Sequence, residues 1–95
     1  MTSKQRAYLK GLANSIDTIL IVGKDGVTEN IVKQADDALE ARELMKMKCL
    51  ETCMSSPKDI AYKIADAVNG TVVQVIGSKA VLYRPAKNSK IVLPQ

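Results

Sequence analysis

Thr18-Ile-Leu-Ile-Val-Gly-Lys-Asp-Gly-Val-Thr28 is the stretch on which the fold turns. Thr18 to Val22 is a compact run rich in β-branched residues and bounded by Gly23, which predicts a buried strand. Gly23-Lys24-Asp25-Gly26 predicts a sharp break, because a residue without Cβ reaches backbone conformations closed to the others. Thr28 offers a hydroxyl to cap a helix that runs to about Arg42, with Ile31, Val32, Ala35, Ala38 and Leu39 at helical spacing. The outer face of that helix carries Lys33, Asp36, Asp37, Glu40 and Glu43.

Working outward, Leu44 to Leu50 alternates, with Met45, Met47 and Cys49 on one face and Lys46 and Lys48 on the other. That period of two predicts a half-buried strand. Ser56-Pro57-Lys58-Asp59 opens a third helix, with serine as cap, proline first inside it and an acid three beyond the cap. Ile60, Ala61, Ile64, Ala65 and Val68 are its apolar stripe, and Asn69-Gly70 supplies a left-handed stop. Thr71–Ile76 and Ala80–Arg84 read as two strands joined through a tight hairpin at Gly77-Ser78-Lys79, and Pro85 ends the second. At the other end of the chain, Ser3 caps a helix to about Asn14 with Tyr8, Leu9, Leu12 and Ala13 on one face, while Ile91-Val-Leu93 reads as a short edge strand. The order is α-β-α-β-α-β-β. The expected class is α/β, of the two-layer α+β kind, with a four-stranded mixed sheet and the second and third helices packed on it. Helices between the first three strands imply right-handed crossovers, and the hairpin adds an antiparallel strand.

Composition narrows the function. Ninety-five residues make room for one domain, 1–95, at roughly 100–200 residues per domain. Hydrophobic residues at 46% and charged residues at 25% are ordinary for a folded domain, which excludes disorder for most of the chain. There is no histidine, so Ser-His and Cys-His nucleophile pairs and His-containing zinc sites are out. Asp36, Asp37 and Glu40 lack convergent partners and read as a solvated helix face, and the two cysteines, Cys49 and Cys53, are too few for a zinc site or a disulfide scaffold. Neither a signal peptide nor a membrane span is expected, and two free thiols suit a reducing cytoplasm. No cofactor, small-molecule substrate or catalytic constellation is expected, and the small core carries no sign of a dimer.

The net charge of +4 is unevenly spread. Residues 1–16 carry Lys4, Arg6 and Lys10 with no acid, and residues 71–95 carry Lys79, Arg84, Lys87 and Lys90 with none. Residues 44–50 add Lys46 and Lys48, whereas residues 28–43 set five acids against Lys33 and Arg42. If the first helix packs near the final hairpin, one side of the molecule becomes a positive surface suited to an anionic partner. With only Tyr8, Tyr62 and Tyr83 as rings, stacking on bases is poorly supplied and contact with phosphates is the better expectation. The Gly23–Gly26 turn sits where a strand meets a helix N-terminus, with Lys24 at its tip. Such a turn serves a purely structural purpose as readily as a nucleic-acid backbone, which the glycines and the helix dipole would also suit.

Five stretches in order resemble one family: Leu9-Lys-Gly-Leu-Ala13, Ile21-Val-Gly-Lys-Asp-Gly-Val-Thr-Glu29, Glu43-Leu-Met-Lys-Met-Lys48, Val73-Gln-Val-Ile-Gly77 and Leu82-Tyr-Arg-Pro85. Together they look like the stand-alone bacterial form of the CRM domain (chloroplast RNA splicing and ribosome maturation), the YhbY-like proteins. The resemblance implies a fold similar to the C-terminal domain of a bacterial translation initiation factor, and RNA binding. It implies that bacterial members associate with precursors of the large ribosomal subunit, while related plant domains sit in group II intron splicing factors. The family's RNA-contacting Gly-x-x-Gly loop falls on Gly23, Lys24, Asp25 and Gly26, and its Tyr-Arg pair on Tyr83 and Arg84; the acidic Asp25 is a departure. The expected RNA-binding set is therefore that loop with Lys4, Arg6, Lys10, Lys46, Lys48, Lys79, Arg84 and Lys87, acting on ribosomal RNA or a precursor large subunit in the cytoplasm. The alternative is a protein-interaction module whose basic surface or edge strand meets an acidic protein.

Overall fold

Seven elements follow one another: α1 (Ser3–Ala13), β1 (Thr18–Val22), α2 (Glu29–Arg42), β2 (Leu44–Cys49), α3 (Pro57–Val68), β3 (Thr71–Ile76) and β4 (Lys79–Tyr83). They come from a computed structural model that describes residues 1–87 and 91–94, so Lys90 of the basic C-terminal set lies outside the described residues. Local chemistry explains most boundaries. The Thr28 hydroxyl accepts from the Ile31 N–H at 3.1 Å, and the Ser56 hydroxyl from the Asp59 N–H at 3.2 Å. Each satisfies a donor that the first helical turn leaves without an intrahelical partner. Asn69 stops α3 at a left-handed φ of +57°.

The cap of α1 differs from expectation. Thr2, not Ser3, accepts from the Gln5 N–H, and the Gln5 side chain accepts in turn from the Thr2 N–H, both at 3.1 Å. Glutamine three residues after Thr2 makes this reciprocal box possible, and nothing equivalent follows Ser3.

The sheet runs in the order β1-β2-β4-β3. β1 and β2 are parallel, and β4 is antiparallel to both of its neighbours, β2 and β3. The last strand in the chain thus occupies an interior position. Its residues agree with that: Ala80, Val81, Leu82 and Tyr83 are all buried, as a strand covered on both faces requires. The hairpin turns through Gly77 at φ +56° and Ser78, the two-residue form with glycine first.

Alternation along the strands divides the core in two. Leu20, Val22, Met45, Met47, Cys49, Ala80 and Leu82 face α2 and α3, where Leu39, Ile60 and Ile64 complete the larger cluster. Leu44, Val73, Val81 and Tyr83 point the opposite way, against Leu9 and Ala13 of α1. Tyr8 lies off that seam and is exposed. The 91–93 segment is not a strand; Ile91 and Leu93 pack on the α1 cluster instead. Three apolar residues in a row have the composition of a strand, and here the same composition covers an otherwise open seam.

Glu43 is the clearest departure from the periodic reading. It lies one residue past the end of α2 with φ +65°, and that turn carries it inward to 1% exposure. Its neighbour Tyr83 is held neutral. Burial pushes the phenol above its ordinary value, and the Glu43 carboxylate pushes it further. A phenol whose folded value is raised contributes stability that is intact below about pH 10 and fades as pH climbs through the folded value. Stability measured by urea unfolding should therefore fall on the alkaline side, and Tyr83→Phe should flatten that fall; equal slopes in the two proteins would contradict it.

Candidate nucleic-acid interface

The Gly23–Gly26 loop continues directly from β1. The Gly26 N–H donates to the Gly23 carbonyl at 3.1 Å, closing the turn, and the Leu50 N–H donates to the Val22 carbonyl at 2.9 Å, tying its base to the end of β2. The two glycines have different reasons to be there. Gly26 adopts φ +66°, a left-handed conformation that an L side chain enters at a cost of about 1 kcal/mol or more. Gly23 is not left-handed, and a Cβ built on it would meet only the Leu50 Cδ1 at 3.6 Å, an ordinary contact. The fold has room for alanine at 23. Bare backbone there is what a closely approaching second molecule would need.

Lys24 and Asp25 are exposed at the tip, and a shallow hollow flanks the loop on each side. One, of about 210 Å³, opens between the loop and the first turn of α2 at Thr28, Asn30 and Ile31. The other, of about 200 Å³, lies against Cys53, Met54 and Lys63. The first turn of α2 brings a positive dipole end to the former, which favours an anion. The Cys49 thiol is pushed up by burial first and then by Cys53 beside it. Cys49 is therefore a packed thiol, not an activated nucleophile.

The four strands contain no acid at all, and their only charges are Lys46, Lys48 and Lys79. All three lie on the α1 side of the sheet, by alternation with the buried Met45, Met47, Cys49 and Ala80. Register aligns them further. Ile21 pairs with Lys48, Lys48 with Lys79, and Lys79 with Ile76, so one row crosses the sheet beside the loop. Among the described residues none of these lysines enters an ion pair.

The remaining expected cations behave differently. Arg6 Nη1 donates to the Val72 and Val73 carbonyls at 2.7 Å, where a bulge in β3 breaks the regular ladder. Arg84 Nη1 donates to Asp36 Oδ1 and to the Val68 carbonyl at 2.9 Å, and its Nη2 to the Asp36 carbonyl and Glu40 Oε2. The Arg84 side chain is 16% exposed and joins β4 to α2 and to the end of α3. Tyr83 also stands at the far end of β4, four residues or roughly 13 Å from Lys79, and Arg84 follows it. Charge counting cannot distinguish a solvated arginine from one holding two helices to a sheet. Lys4 and Lys10 are on α1 and Lys87 follows β4, away from the aligned row in sequence and register.

With this geometry in place, likeness to known proteins is informative. The family model for the CRS1 / YhbY (CRM) domain matches residues 1–84. The chain belongs to the CRM-domain family. Among CRM-domain relatives, "Probable RNA-binding protein YqeI" of Bacillus subtilis is 40% identical over 95 residues, covering 99% of both chains. An "RNA-binding protein" of Haemophilus influenzae is 34% identical over all of this chain and 96% of its own. The solution structure of a Staphylococcus aureus protein proposed to bind RNA superposes with a TM-score of 0.82 at 45% identity, over 99% of both chains. The same CRM unit matches only 25% of the mitochondrial CRS2-associated factor 1 of Arabidopsis thaliana, at 28% identity, so it also occurs within a longer chain. Among the described residues of this CRM domain, no helix is long and apolar enough to cross a membrane.

Proposed function

We propose that this CRM-domain protein is a non-catalytic RNA-binding protein whose contact surface is the Gly23–Gly26 loop together with Lys24, Lys48 and Lys79. The observation that carries the reading is the glycine at 23, for which neither φ nor packing provides a reason. A loop stripped of Cβ at that point admits a phosphodiester backbone, the dipole of α2 favours its charge, and the lysine row extends the contact across the sheet. The names of the bacterial relatives support RNA as the ligand. Within that reading the RNA is ribosomal, carried by a precursor of the large subunit, and the protein assists assembly in the cytoplasm as a monomer. Arg6 and Arg84 serve the fold and are left out of the surface, and Lys4, Lys10, Lys46 and Lys87 supply a weaker positive surround.

The test is a salt titration of binding to large-subunit ribosomal RNA fragments. With about 4–6 phosphates engaged, log affinity should fall with log salt at a slope near −3 to −5. Gly23→Ala should weaken binding about tenfold with the unfolding midpoint nearly unchanged. A flat slope, or full affinity in the alanine variant, would sink the proposal.

A further inference from the structure

Resting on the RNA-binding reading, we propose that the part of the sheet α1 leaves open is a site for one unpaired nucleotide, its base seated in the recess between the end of α1 and the β3–β4 hairpin. The recess has a volume of about 130 Å³ and is edged by Asn14, Lys46, Gln74, Ile76, Lys79 and Val81. That is room for a single ring system.

Three features of the recess match a nucleotide. Its floor is apolar: Val81 is buried beneath it, and Ile76 stands at its edge with 61% of its surface exposed. Ile21, 56% exposed at the opposite end of the same row, repeats the feature. Its rim carries the amides of Gln74 and Asn14, each able both to donate and to accept, as the edge of a base also does. Its charges are lysines alone, with Lys48 beside Lys79 in register and no acid on any strand. Charge complementarity therefore selects a polyanion with a planar polar edge.

The recess and the proposed backbone clamp lie at opposite ends of one row, because Ile21, at the end away from Ile76, is two residues before Gly23. A strand of RNA crossing the Ile21–Lys48–Lys79–Ile76 row reaches the glycine loop without turning. The protein thus reads a base through aliphatic and amide groups, which its shortage of rings had argued against.

Fluorescence anisotropy of the full chain with a labelled, unpaired RNA of about 12 nucleotides tests this, a length within the usual site size of single-strand binders. Gln74→Ala with Ile76→Ala should bind about tenfold more weakly and keep the same salt slope, since a base contact releases no counterion. An RNA abasic at one critical position should lose the same factor against the native protein and lose nothing more against the variant. The abasic series needs no change in the protein, so it decides the matter even where the variant folds poorly. Equal affinity for every abasic RNA, or for a duplex of the same sequence, would overturn the recess as a base site while Gly23→Ala still weakened binding. Tighter binding of an oligoglutamate peptide than of RNA would overturn it in favour of a protein partner. Binding to no RNA at all would remove the underlying reading as well.

Discussion

Changing Lys24, Lys48 and Lys79 together to alanine should weaken RNA binding by about 100- to 1,000-fold at moderate salt. Each charge-assisted contact to phosphate is worth roughly 1–1.5 kcal/mol net, and about 1.4 kcal/mol is a factor of ten. The salt slope should become shallower by about two, since each neutralised phosphate of a single strand contributes roughly 0.7. Lys24 and Lys79 are exposed, and Lys48 is half-buried on an open sheet face, so the fold should survive. Two controls separate placement from total charge. The same three positions changed to arginine should retain most of the affinity, and Lys33→Ala, on the acidic face of α2, should change little. A loss from Lys33→Ala as large as from any one of the three would mean that net charge, not an aligned row, does the binding.

Arg84→Ala should do the reverse: lower stability by about 2–3 kcal/mol and leave the RNA affinity of the folded protein within about twofold. The estimate rests mainly on the Val68 carbonyl, which loses a charged donor in a partly buried setting, with a smaller share from the exposed Asp36 carbonyl. The ion pairs to Asp36 and Glu40 are discounted, because both acids are about half exposed and water screens them. Arg84→Lys should recover little, since one ammonium cannot reach α2 and α3 in the geometry that a guanidinium fork spans. Urea unfolding and an RNA titration on the same preparation check both halves. A stable Arg84→Ala protein with tenfold weaker RNA binding would return Arg84 to the interface.

What the chain reveals by inspection follows the range of the interaction involved. Caps at Thr28 and Ser56, the stop at Asn69 and the alternation of Met45, Met47 and Cys49 are written within four or five residues, and each lies where its pattern says. Strand order is a longer-range matter. The unbroken Ala80–Tyr83 run was consistent with an interior strand, yet nothing nearby says that β2 would be its neighbour. Glu43 continues the polar face of α2 on paper, but the helix ends one residue earlier and the periodicity ends with it. The candidate site divides in the same way. The glycine loop is visible as a motif and the lysines as alternation, whereas their alignment with Ile21 and Ile76 depends on four strands in register. Arg6 and Arg84 illustrate the opposite failure: their partners are 66 and 48 residues away, and a count of charges sees neither.

The interior position of β4 also sets an order in time. On a ribosome adding about 5–20 residues per second, β1 and β2 can pair early, but β3 has no strand to join until residues 79–83 emerge. Leu44 waits for Tyr83 across 39 intervening steps of the chain. The row of Lys48 and Lys79 is therefore absent from any nascent protein that ends before the hairpin, and the whole cross-sheet surface comes into being in one late event.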